Sequence, residues 1–148
     1  MSQDYASIIV DFPLFKGYTT DGAQALLACG EVKELEPGEI LFKEGDPPLF
    51  VLLVLKGSLQ VYVERSGRDL VLTDSGPGTI IGELAVLCGI ARSASVRSVE
   101  PAAVLQLSAT SFRSLLLRNT FLSERVFGQA LRTLIEKEQA LIAELTRS

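Results

Sequence analysis

The stretch Ile80-Ile81-Gly82-Glu83-Leu84-Ala85-Val86-Leu87-Cys88-Gly89-Ile90-Ala91-Arg92-Ser93-Ala94-Ser95 sets a glycine and an acid at the head of a very short apolar helical pattern. Gly89 ends that pattern, and Arg92 follows before an extended run resumes. Gly82, lacking Cβ, lets backbone approach a ligand closely. The N–H groups of Leu84 and Ala85 would open a helical turn without intrahelical partners, which makes them donors to an anion. Arg92 can close on that anion from the far side with its planar fork of donors. Glu83 makes little sense beside a bare phosphate. It makes sense where the phosphate has a hydroxyl for a neighbour, since a carboxylate accepts that hydrogen bond. A ribose cyclic phosphate has both groups.

Outward from this stretch the period is that of strands. Upstream, Val32 and Leu35 begin the extended pattern, Pro37-Gly38 turns it, and Ile40-Leu41-Phe42 follows. Gly45-Asp46-Pro47-Pro48 is a second turn. Glu44 and Asp46 read as turn chemistry, since a calcium site needs more oxygen ligands in register. Leu49 to Leu55 is a continuous apolar run of strand length, ended by Lys56-Gly57. Leu59, Val61 and Val63 alternate with Gln60, Tyr62 and Glu64, as in a half-buried strand. Ser66-Gly67-Arg68 turns into Leu70-Val71-Leu72, and Gly76-Pro77-Gly78 ends that strand. Downstream, Val96 and Val99, then Ala102 to Leu107, give two further strands divided at Glu100-Pro101. Roughly eight short strands, with Gly/Pro turns about every 8–12 residues, predict an all-β sandwich or barrel.

Helical periodicity frames the strands at both ends. Tyr5, Ile8, Ile9 and Phe12 share a face that Pro13 interrupts. Thr20 or Asp21 is the expected cap of a second helix carrying Ala25, Leu26, Ala28 and Cys29, with Gly30 as its stop. After the strands, Ser108 is the expected N-cap of a helix whose face is Phe112, Leu115 and Leu116, broken at Asn119 or Thr120. A longer helix then carries Phe127, Leu131, Leu134, Leu141 and Leu145 at alternating steps, with Glu138 interrupting the seam and Ile135 and Ile142 widening it. A face this apolar is expected to dock on its own domain or on another helix.

Composition narrows the function classes. At 148 residues the chain is expected to form one domain, with helices to about residue 30, strands over 31–107 and helices over 108–148. No apolar run reaches the ~20 residues of a membrane helix, and MSQDYASIIV lacks a basic signal region. Cys29 and Cys88 are isolated thiols, read as a helix-face and a packing residue, so a reducing cytoplasm is the expected compartment. The net charge is −4 with scattered cations, so no DNA binding is expected of this chain alone. Arg65, Arg68 and Arg97 are read as solvated strand or turn charges. The chain contains no histidine, which removes the commonest general base and metal ligand. Catalytic residues, a metal and a cofactor are therefore not expected, and a phosphodiesterase is a distant alternative.

The order of lead-in helices, strands, Gly82-Glu83-Leu84-Ala85, Arg92-Ser93-Ala94 and long closing helix resembles the cyclic nucleotide-binding domain. That is the family of the catabolite activator protein and the protein kinase A regulatory subunit. The likeness runs from about Phe12 to Glu144 and includes Pro37-Gly38-Glu39, Ile40 to Asp46, Leu55-Lys56-Gly57 and Gly76-Pro77-Gly78. Leu49-Phe50 departs from it, standing where small or acidic residues are usual. The resemblance implies a mainly β fold, an eight-stranded jelly roll with N-terminal helices, a short phosphate-cassette helix and C-terminal helices. It implies a sensor of a 3′,5′-cyclic nucleotide, cAMP favoured over cGMP because Ser93 is not threonine. Glu83 would bind the ribose hydroxyl and Arg92 the exocyclic phosphate oxygens. Backbone N–H groups of Leu84, Ala85 and Ala94 and the Ser93 hydroxyl would complete the shell, with Gly82 allowing the close approach. Val71, Leu72 and Val96 would wall the base. The closing helix has no tyrosine or tryptophan to stack on it, leaving Arg132, Leu134 and Ile135 as lid candidates. The expected partners are the nucleotide, a second copy through the last helix, or an effector protein. The alternatives are a ligand-independent dimerisation or docking module, and the sensor part of a longer transcription regulator.

Overall fold

The computed structural model describes residues 4–146. Its eight strands form two antiparallel sheets that face each other as a jelly roll. One sheet runs β1 (Glu31–Leu35), β8 (Ala102–Ser108), β3 (Phe50–Lys56), β6 (Ile80–Ile81), and the other β2 (Ile40–Phe42), β7 (Ser95–Ser98), β4 (Leu59–Arg65), β5 (Arg68–Ser75). Helices α1 (Tyr5–Val10) and α2 (Thr20–Ala28) precede the strands, with a 3-10 turn at Pro13–Phe15 between them. The cassette helix α3 (Glu83–Cys88) lies between β6 and β7, and α4 (Ala109–Arg118) and α5 (Thr120–Thr146) close the chain.

The continuous apolar run of β3 is explained by two cores, one on each face of its sheet. Val51, Leu53 and Leu55 point into a helical layer with Ile9, Phe15, Leu26, Phe112, Leu122 and Val126. Leu52 and Val54 point into the roll with Val61, Leu72, Ile81, Ala94 and Val96. A strand covered on both faces has no polar side to alternate. β6 splits likewise, Ile80 joining the helical layer and Ile81 the roll interior. The cassette thus starts where the two cores meet.

Local chemistry corrects several sequence expectations. Thr19, not Thr20 or Asp21, caps α2 by accepting from the Gly22 N–H at 3.0 Å, and Ala23 and Leu26 are its buried face. Ser108 caps α4 as expected, accepting from Ser111 N–H at 3.1 Å. Cys88 is exposed rather than packed. Arg65 and Arg68 are exposed turn charges as expected, and each is also paired: Arg65 grips Glu44 through both Nη atoms at 3.0 Å, and Arg68 meets Glu144 at 2.7 Å. Arg97 stacks on Tyr62 at 4.0 Å and reaches Asp69 at 2.7 Å.

The largest departure concerns α5. Its apolar stripe does not dock on the chain's own strands: Leu131, Leu134, Ile135, Ile142 and Leu145 are all exposed. The face turned inward is Leu122, Val126, Ala130, Thr133, Lys137, Ala140 and Glu144, at the same three- and four-residue steps but rotated around the helix. This face starts apolar and becomes small and polar toward the C-terminus. Gln129 Oε1 accepts from the Ile80 N–H at 2.6 Å, and Thr73 Oγ1 donates to Glu136 at 3.0 Å.

Candidate functional site

β6, α3, the segment entering β7, and α5 enclose one cavity with the roll interior. Gly82, Glu83, Leu84, Ala85, Arg92, Ser93, Ala94 and Val96 all line it, so most of the expected site residues are brought together. Phe42, Val61, Ile81 and Lys137 line it too and were not foreseen. The cavity holds about 30 Å³, room for roughly a water or two, whereas small-molecule sites run to about 300–1,000 Å³.

Gly82 is placed by its backbone. It is left-handed at φ 87°, a conformation that L side chains enter at a cost. A Cβ there would also collide with the Arg92 guanidinium. The close approach that glycine permits is thus made by a side chain of the chain itself. From Gly82 the chain enters α3, where the Val86 N–H closes onto the Gly82 carbonyl at 3.3 Å.

Arg92 is 3% exposed. Its Nη1 donates to the Gly82 carbonyl at 3.0 Å and its Nη2 to the Phe50 carbonyl. The guanidinium lies 4.0 Å over the Phe42 ring and 5.2 Å from that of Phe50, as cation–π contact requires. Its Nε is buried without a hydrogen-bond partner, and no carboxylate pairs with the group among the described residues. Burial lowers its pKa, with Asp46 and Glu83 opposing through space; an arginine stays charged regardless.

The backbone around Arg92 is clipped by the turn after β2. Arg92 N–H donates to the Asp46 carbonyl at 2.9 Å, and the Gly45 N–H to the Arg92 carbonyl at 2.8 Å. The Asp46 carboxylate in turn accepts from Lys43 N–H at 2.9 Å, and Ser95 Oγ from Glu44 N–H at 2.9 Å. Asp46 is turn chemistry, as its sequence context implies, and the turn it builds holds the cassette arginine in place.

Glu83 is 4% exposed. Burial pushes its carboxyl above the ordinary carboxylate range, opposed by its own backbone N–H and by Lys137 and Arg92. Lys137, from α5, is shifted down by burial and supported by Glu83. An acid and two cations therefore share a nearly closed space.

Two groups of expected residues lie elsewhere. Leu72 is buried in the roll interior, but Val71 is 39% exposed and, like Leu72, does not line the cavity. Of the lid candidates, Leu134 and Ile135 are exposed, and Arg132 lines a separate depression with Pro13, Pro77 and Thr79. The α5 residue over the cassette is Lys137. A search for an aromatic or apolar cap passes over it, and only the spacing of small and polar residues marks its face.

No helix among the described residues is long and apolar enough to cross a membrane, and no cluster of three or more metal-ligating side chains occurs among them. A family model, the cyclic nucleotide-binding domain, matches residues 32–119. The acetyltransferase Pat of Mycolicibacterium smegmatis is 43% identical over 97 residues, 65% of this chain and 29% of that protein. Among solved structures, the catabolite activator protein of Thermus thermophilus superposes with a TM-score of 0.74 at 26% identity, covering 88% of this chain and 62% of that one. The regulatory domain of Toxoplasma gondii PKA, solved with cAMP, gives a TM-score of 0.64 at 26% identity over 75% of this chain and 42% of that one. The chain spans no more than 30% of the length of the curated relatives it matches first. With a jelly roll of two four-stranded sheets and a Gly-Glu-Leu-Ala cassette facing a buried arginine, this chain belongs to the cyclic nucleotide-binding domain family.

Proposed function

We propose that the chain binds cAMP at the Gly82–Ser95 cassette and signals by moving α5. The observation that carries this is Arg92. A buried guanidinium held by carbonyls and rings, with no carboxylate partner and an unpaired Nε, is a positive centre built for an incoming anion. Arg92 and a phosphate ~4 Å apart attract by roughly 4 kcal/mol at an effective dielectric near 20. Glu83 on the other wall accepts the ribose hydroxyl, about 1.5–3 kcal/mol for a bond to a charged group. Leu84, Ala85 and Ala94 offer backbone N–H groups, Ser93 a hydroxyl, and Val96, Val61 and Ile81 an apolar wall for the base. Two solved relatives, a PKA regulatory domain with cAMP and a catabolite activator protein, support this ligand class. The part played here is binding rather than catalysis, in the cytoplasm, with the output carried by an effector or by further chain.

A second reading rests on the exposed stripe of α5. Leu131, Leu134, Leu141 and Leu145 repeat at coiled-coil steps on a face the chain's own strands leave bare, which fits pairing with a second copy. Thermal melts separate the two. cAMP at a hundredfold excess over Kd adds about 2.7 kcal/mol of stability, while a ligand-independent docking module shows no shift with any cyclic nucleotide.

A further inference from the structure

Phe42 and Phe50 stand outside the cassette, at the end of β2 and the start of β3. Their rings meet edge to face, with centroids 6.1 Å apart and planes at 65°, an arrangement that aromatic quadrupoles favour. Phe42 is 8% exposed and is held beside the cassette by its pairing with Val96 of β7. Phe50 is half-buried and pairs with Ser108 of β8. It belongs to Leu49-Phe50, where the chain departs from the family pattern. Phe42 lines the cavity with Arg92, whereas Phe50 does not.

Both rings address the Arg92 guanidinium, whose carbon lies 4.0 Å from one centroid and 5.2 Å from the other. A planar cation offers two separate kinds of contact. Its faces attract the electron-rich face of a ring, and its rim carries five N–H donors. Nη1 and Nη2 each donate to one carbonyl, of Gly82 and of Phe50, and Nε has no partner. A carboxylate partner would take the rim, the same surface that binds phosphate. The rings stabilise the buried charge and leave the rim alone.

Resting on the cyclic nucleotide reading above, we propose that Phe42 and Phe50 are the positioning residues of Arg92. They hold its cation in the site in place of a carboxylate, so that its remaining N–H groups serve the phosphate of the ligand. Affinity for that anion is then set in part from two strands that the cassette motif does not include.

The full chain is compared with three variants. Pentafluorophenylalanine at position 42 keeps the shape of the ring but withdraws electron density from its face. Phe42→Leu keeps apolar bulk without a ring, and Phe50→Leu keeps the carbonyl and stays outside the cavity. By calorimetry, both changes at position 42 are expected to weaken cAMP binding roughly three- to tenfold, and Phe50→Leu about twofold. Without nucleotide, the melting temperatures of Phe42→Leu and Phe50→Leu are measured in the parent and in an Arg92→Met chain. Each loss is expected to shrink in the Arg92→Met chain, as coupling between neighbours requires. Parent-like affinity in the fluorinated chain, or equal melting losses in the two backgrounds, would reduce the rings to packing and overturn the proposal. If Phe42→Leu does not fold, the fluorinated chain and Phe50→Leu decide it. If the parent binds no cyclic nucleotide, the functional reading falls, and the melting comparison alone upholds or overturns the ring-held arginine.

Discussion

The two halves of α5 are held in opposite ways. Up to Ala130 the helix buries Leu122, Val126 and Ala130 to 2% exposure or less, with Leu122 and Val126 in the same core as Phe15 and Phe112. Beyond it, the inward side chains are Thr133, Lys137, Ala140 and Glu144, all only partly buried, and apart from the packing of Ala140 on the roll the contacts are polar. One continuous helix is therefore fixed at one end and lightly held at the other. The cassette cavity lies under the lightly held part, where Lys137 lines it.

The two halves of α5 should respond differently to substitution. Leu122→Ala should cost about 2–5 kcal/mol of global stability by chemical denaturation; a negligible loss would show that the first half is not core. Glu83→Gln tests the buried acid under the second half. Its folded pKa lies above the unfolded one, so the unfolded chain ionises first and stability falls as pH rises from about 4.3 toward the raised value. The Tm of Glu83→Gln minus that of the parent, without nucleotide, should grow more positive from pH 4 to pH 8; a difference that shrinks would contradict burial of the charge. Arg68→Ala removes a surface contact to the second half and should change global stability by only about 0–1 kcal/mol. It should nonetheless speed exchange near Glu144, and a large global loss would mean that both halves are core.

The roll was legible in the sequence because its turns are chemical. Gly76-Pro77-Gly78, Ser66-Gly67 and Pro37-Gly38 mark ends of strands, and the apolar run of β3 matches a strand buried on both faces. The cassette was legible because its residues are contiguous, from Gly82 to Val96, and share one cavity with the roll. Lys137 was not, since what brings it there is the rotation of α5. That rotation was misread because a strongly apolar stripe draws attention from a weaker face made of alanine, threonine and lysine. The turn around Asp46 looked structural and is so, but its grip on the Arg92 backbone crosses 46 positions of sequence that local patterns cannot span. Val71 and Leu72, both expected as base walls, are consecutive in β5 and so face opposite ways, Val71 outward and Leu72 into the roll.

Titration calorimetry tests whether Arg92 anchors a cyclic phosphate. cAMP, cGMP and cyclic dinucleotides are titrated side by side into the parent, Arg92→Ala and Glu83→Ala, with each variant's fold checked by circular dichroism. The parent should bind cAMP at one site per chain and more tightly than cGMP, with Arg92→Ala losing more affinity than Glu83→Ala. No binding of any of these nucleotides by the parent, or equal or reversed losses in the two variants, would contradict the phosphate-anchored site.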